Sequence, residues 1–218
     1  MNLEGQYMSV PPSKPRTRQR ISSGLAGLDA QLGGGIPDGT VILLVGEPMN
    51  AYELMGFHFA SGGGTCVYIA RDLTHQDVME GVERVGGSSK NLLLLGADDP
   101  LPVLESGQRA VVEAFAEFAA DKEWLDVKAW VMNLRTQCAE SGATVLLMAT
   151  RGMLDPAYEV QLQQLCDGAM ELGFDRQGFA LYPYLKVTKM RGVPDANRFL
   201  LFKETLKGLF MENTRRVF

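Results

Sequence analysis

Apolar and polar positions fall in alternating blocks along the 218-residue chain. Residues 40–45 form an unbroken run of β-branched and aliphatic side chains, which predicts a strand buried on both faces of a parallel sheet. Residues 51–61 carry apolar positions at helical spacing and stop at three glycines. Residues 65–70 predict a second strand. Residues 74–85 predict a helix that ends at Gly86-Gly87, and residues 91–95 a third strand. Apolar positions recur every three or four residues through 107–141, predicting helix with a break at 121–123. Residues 144–150 read as another strand. The chain then changes character: 169–172, 179–189, 198–202 and 208–211 read as short strands joined by turns. This order predicts an α/β fold with a mostly parallel central sheet flanked by helices, and antiparallel strands at its C-terminal edge.

The beginning of the chain breaks this rhythm. Pro11, Pro12 and Pro15 oppose regular structure in residues 1–20, while Lys14, Arg16, Arg18 and Arg20 make the segment basic. It reads either as a solvated tail or as an arm for nucleic acid or an acidic protein surface. Residues 21–218 then read as one domain. A short helix over Leu25, Leu28 and Leu32, capped by Ser22 or Ser23, runs into Gly33–Gly35 and a turn at Pro37-Asp38-Gly39.

Charge and composition narrow the function. The chain has 21 Lys plus Arg and 26 Asp plus Glu, hence a net charge of 21 − 26 = −5. Such a chain has no bulk attraction for nucleic acid or anionic membranes. No apolar run is long enough to span a bilayer, and the first residues do not read as a signal peptide. Cys66, Cys138 and Cys166 are widely separated and odd in number. They predict reduced thiols in a cytoplasm, neither a disulfide framework nor a CxxC metal site. With only His58 and His75, no histidine metal site is expected.

The stretch from Ile21 to Gly46 carries a specific pattern. Gly24, Gly27, Leu28, Asp29, Leu32, Gly33–Gly35, Ile36, Pro37, Gly39 and Gly46 all fall on the opening of KaiC-type, RecA-superfamily ATPases, which this chain resembles. Val187-Thr-Lys-Met-Arg-Gly192 is similar to that family's Lys-x-Arg-Gly hairpin. The resemblance implies a RecA-like core, a prokaryotic (archaeal or bacterial) origin and, for many relatives, a ring-shaped oligomer; it does not imply activity.

The same comparison exposes what is missing. A phosphate loop needs G-x-x-x-x-G-K-[ST] between a strand and a helix, so that amides wrap the phosphates, lysine neutralises them and a hydroxyl holds Mg²⁺. Here the stretch is Gly46-Glu47-Pro48-Met49-Asn50-Ala51-Tyr52-Glu53. Ala51 replaces the second glycine, Tyr52 the lysine and Glu53 the hydroxyl residue. A carboxylate about 4 Å from a phosphate repels it by roughly 4 kcal/mol at an effective dielectric near 20. Asn50 and Glu53 have the spacing of a capping box, so the protein's own side chains are expected to occupy the helix end. ATP and Mg²⁺ are therefore not expected as cofactors.

Two further parts of the machinery depart from the family pattern. Relatives end the second strand with adjacent glutamates, and here Arg71 and Asp72 stand there. Asp72 is the single candidate for a catalytic carboxylate, with a turn-forming role as its alternative. The Mg²⁺-holding acid should close a hydrophobic strand. The nearest candidate strand, Leu92–Leu95, ends in Gly96, with Asp98 and Asp99 arriving late. Lys189 and Arg191 sit where the resemblance implies contacts to a neighbour's phosphate, or serve as solvated charges at a strand edge. Three functions follow: a regulatory or scaffold pseudo-ATPase of signal transduction, assembling with itself or with an ATP-competent KaiC-like paralogue; an atypical ATP-binding protein; or a DNA-binding accessory of recombination using the basic tail.

Overall fold

The computed structural model describes residues 18–194, 196 and 198–212, without the side chains of Asn50 and Arg198. Most of the proposed tail, residues 1–17, lies outside them. In chain order the elements are β1 (Arg20–Ile21), α1 (Ala26–Gln31), β2 (Ile36–Pro37), β3 (Val41–Gly46), α2 (Asn50–Ser61), β4 (Cys66–Ala70), α3 (His75–Arg84), β5 (Leu92–Gly96), β6 (Arg109–Val112), α4 (Phe115–Ala120), α5 (Trp124–Ser141), β7 (Thr144–Thr150), α6 (Pro156–Leu165), β8 (Gly168–Gln177), β9 (Ala180–Met190), β10 (Arg198–Thr205) and β11 (Gly208–Met211).

Nine strands form one sheet in the order β11-β10-β9-β8-β3-β7-β6-β4-β5. From β8 to β5 neighbours run parallel. Strands β9, β10 and β11 add antiparallel to the β8 side, as the turn-rich C-terminal pattern predicts. Period-two alternation splits β3 between two cores. Ile42 and Leu44 pack with α1, α2 and α3, while Val41, Leu43 and Val45 pack with α4, α5 and α6. Both faces of the central strand are therefore covered, which is why its sequence is continuously apolar.

Four local expectations are corrected. Residues 109–112 are a strand, not part of a helix; β6 pairs with β4 on one side and β7 on the other. Residues 156–165, given no element by the sequence reading, form α6, started by an Asp155 carboxylate that accepts the Ala157 and Tyr158 amides, with Pro156 behind it. The folded part begins before residue 21: Arg20 lies in β1, and Gln19 donates its amide to Asp38 at 3.0 Å. Finally, α1 is capped neither by Ser22 nor by Ser23. Its cap position is Leu25, without a side-chain bond. Asp29 instead reaches back to accept the Ser22 hydroxyl at 2.6 Å and the Ser23 amide at 2.7 Å.

Two buried polar side chains stitch the layers. Arg109 opens β6, and its guanidinium donates to the carbonyls of Gly63, Ser22, Phe59 and Gly62 at 2.7, 2.6, 3.2 and 2.8 Å. It supplies the donors that the carboxyl end of α2 lacks. His58, in α2, spans the Gly24 carbonyl at 3.2 Å and the Leu209 amide at 2.9 Å, joining the N-terminal segment to β11.

Candidate functional site

β3 delivers its last residue, Gly46, to the carboxyl edge of the sheet, and a short loop of Glu47, Pro48 and Met49 leads into α2. The third residue of α2 is therefore aimed back at the strand ends. Tyr52 takes that path. Its ring lies against Gly46 so closely that a Cβ there would sit 2.6 Å from the ring's Cδ2. Its hydroxyl donates to the Glu113 backbone carbonyl at 3.3 Å and also meets the Thr150 side chain. Burial pushes the phenol well up, so it stays protonated.

The rest of the loop is tied down as well. Arg151, just after β7, pairs with Glu47 at 3.2 Å and with Glu171 of β8 at 2.8 Å. Tyr184 of β9 donates to the same Glu171 at 2.9 Å. Ala51 is buried in the core, and Met49 packs partly against it. Asn50, whose side chain lies outside the described structure, is the first residue of α2 and not its cap. The cap position of α2 is Met49, with no side-chain bond. Glu53 is exposed and points towards α3, in a groove it shares with Asp77, Glu80 and Arg84. Partial burial raises its carboxyl and Arg84 opposes that rise. The Tyr52 ring, and not Glu53, thus lies against the end of β3 at Gly46.

β5, the nearest candidate for a strand ending in an acid, is not a central strand. β5 lies at the sheet's edge, beyond β4. β6 occupies the place between β4 and β7, and the residue that follows it is Glu113. An apolar strand followed by an acid is what the family pattern asks for. A run of Ala-Val-Val before an acid was the signal, masked by the helical spacing around it. Glu113 is buried on the α2 side, and one carboxylate oxygen accepts the Arg71 amide at 3.2 Å. Burial pushes its carboxyl up to about 7 against the pull of that amide, with Asp72, Glu53 and Glu117 adding repulsion. Asp72 is exposed at the end of β4 and joins this acidic neighbourhood. Asp98 and Asp99 belong to the turn after β5, where Asp99 accepts the Gly96 amide at 2.8 Å.

Lys189 and Arg191 are engaged within the chain. Lys189 lies opposite Ala169, at the start of β8. Its ammonium donates to the carbonyls of Gln163, Gln164 and Cys166 at 3.2, 2.7 and 2.6 Å, closing the carboxyl end of α6. Arg191 meets the buried Asp167 at 2.9 Å. Asp167 also receives two bonds from Arg135 and the Val41 amide. These cations stand where β3 begins, and Gly46 stands where it ends. Five residue steps, about 16 Å, separate the two ends.

Other chemistry is sparse. The three cysteines are free and buried, and burial pushes each thiol up to about 12. Among the described residues no cluster of His, Cys, Asp or Glu could hold a metal ion. No helix among them is long and apolar enough to cross a membrane.

A glycine-ended central strand entering a helix, an acid on the strand two places along, and antiparallel strands on the far edge define a RecA-like α/β core. The KaiC-like protein PH0186 from the hyperthermophilic archaeon Pyrococcus horikoshii OT3 shares this fold, with a TM-score of 0.72 at 18% identity, over 89% of this chain and 99% of that one. The chain belongs to a family described as "Family of unknown function (DUF7125)", whose model matches residues 20–203. No curated protein matches the sequence.

Proposed function

We propose that this chain is a pseudo-ATPase: a KaiC-like, RecA-fold subunit that no longer hydrolyses ATP and serves as a regulatory or scaffold partner in a cytoplasmic signalling assembly. The observation that carries this reading is the Tyr52 ring seated on Gly46. A phosphate loop works by leaving amides free around an anion and placing an ammonium beside it. Here an aromatic ring lies on the first glycine of the loop, no lysine stands at position 52, and the phenol is spent on the Glu113 carbonyl. Glu113 itself holds its proton up to about pH 7, which weakens it as a Mg²⁺ ligand. The residues present do not fit Mg-ATP at this loop.

The subunit keeps a RecA-like fold, so the partners proposed for it are further copies of itself or an ATP-competent paralogue. Calorimetry with Mg-ATP tests the reading. The expected result is no heat of binding at millimolar nucleotide for the native chain. Replacing Ala51, Tyr52 and Glu53 together by Gly, Lys and Thr should restore measurable affinity. A micromolar Kd for the native chain overturns the proposal. The mass of the chain in solution, alone and mixed with an ATP-binding paralogue, tests the assembly role.

A further inference from the structure

The sheet has a second opening that the phosphate-loop comparison does not touch. After β4 the chain turns into α3 on one face; after β6 it turns into α4 on the other. Adjacent parallel strands whose connections diverge leave a crevice at their carboxyl ends, where ligands of open α/β sheets bind. A cavity of about 610 Å³ lies there, on the α4 face. That is within the roughly 300–1,000 Å³ typical of small-molecule sites.

Its wall is apolar and aromatic, with Val112, Phe118 and Trp130. Its rim carries Arg71, Asp98 and Asp121. Two other charges there are already committed: Lys122 covers the Phe118 ring at 4.6 Å, and Asp99 holds the Gly96 amide. Among the described residues no hydrogen bond or ion pair engages the side chains of Arg71, Asp98 or Asp121. A flat apolar body suits the wall, and hydroxyl or amine donors suit the two carboxylates. A ring acceptor suits Arg71. Carboxylates outnumber cations on this rim, which disfavours a phosphate. We propose that this cavity binds an uncharged nucleoside or a heteroaromatic molecule of that class.

Arg71 connects the cavity to the loop. Its side chain lines the cavity while its own amide holds the Glu113 carboxylate. Val112 faces the cavity and Glu113, the next residue, faces Tyr52.

Trp130 reports on the site, since the chain has only two tryptophans, Trp124 and Trp130. Two-dimensional spectra of the ¹⁵N-labelled chain resolve their indole N–H groups, and Trp124→Phe assigns them. Adenosine, guanosine, cytidine and uridine are titrated separately, with AMP as the charged control. At least one nucleoside should shift the Trp130 indole saturably in the micromolar to millimolar range, and AMP should bind more weakly than adenosine. Arg71→Ala and Asp98→Asn should each weaken that binding about tenfold, with the spectrum otherwise native. Tyr52→Phe should leave it unchanged. Absence of any saturable shift overturns the proposal. So does binding indifferent to Arg71→Ala and Asp98→Asn, or tighter binding of AMP. Because the cavity lies across the sheet from Tyr52, its failure leaves the pseudo-ATPase reading standing, and the reverse also holds.

Discussion

The phenol of Tyr52 donates to the backbone carbonyl of Glu113 at 3.3 Å, joining the first turn of α2 to the end of β6. Tyr52→Phe keeps the ring on Gly46 and loses only the hydroxyl. It should lower stability by about 1 kcal/mol, seen as an earlier midpoint in urea with an unchanged slope. An unchanged midpoint would show that the bond contributes nothing.

Glu113 gives the fold a defined pH dependence. Burial raises its carboxyl to about 7 from the ordinary 4.5. The native state then holds a proton that the unfolded chain releases, so stability is full below about pH 4.5 and falls as pH rises towards about 7. Glu113→Gln should flatten this slope and stabilise the protein at pH 8 by about 2 kcal/mol, after allowing for partial solvent screening. Denaturant melts at pH 5 and pH 8 for both chains provide the check.

His58 acts in the opposite sense. It accepts the Leu209 amide through one ring nitrogen and meets the Gly24 carbonyl through the other, which requires the neutral ring. Burial lowers its pKa below the ordinary 6.5, with the Gly24 bond opposing and Arg84 assisting. The unfolded chain takes up a proton that the native state resists, so stability is lost as pH falls below about 6.5. Hydrogen exchange at the Leu209 amide should accelerate between pH 7 and pH 5 beyond the intrinsic rate change. His58→Gln should remove that excess.

Asp167 neutralises Arg135 and Arg191 and also accepts the Val41 amide, all from a buried position. Removing it strands two guanidinium groups and the first amide of β3. Asp167→Ala should cost about 2–3 kcal/mol, and Asp167→Asn less, since an amide oxygen can still accept. Thermal melts of the two variants should rank in that order. Equal melting would show that the cluster is solvated.

The order of elements was largely legible in the chain. The apolar run of β3, the glycines after α2 and α3, and the break between α4 and α5 were read where the structure has them, because each rests on local chemistry. A strand buried on both faces needs continuous apolar residues, and a helix end needs a residue that tolerates the turn. That a tyrosine stands at position 52, where the resemblance expects a lysine, was equally visible, since it is a matter of residue type. What the phenol does in its place was not, because the partner at Glu113 is 61 residues away.

β6 was hidden for the same reason. Four residues of Arg-Ala-Val-Val have no period of their own, and their neighbours supply a helical one; only pairing with β4 and β7 makes them a central strand. Glu113 then becomes an inward-facing acid by virtue of that pairing. The cavity beside Arg71, the Lys189 closure of α6 and the committed Arg191 follow from which strands lie side by side. Sequence dictates local conformation through each residue's own backbone and burial preferences. Which distant side chains meet is decided only when the sheet closes and solvent is excluded between them.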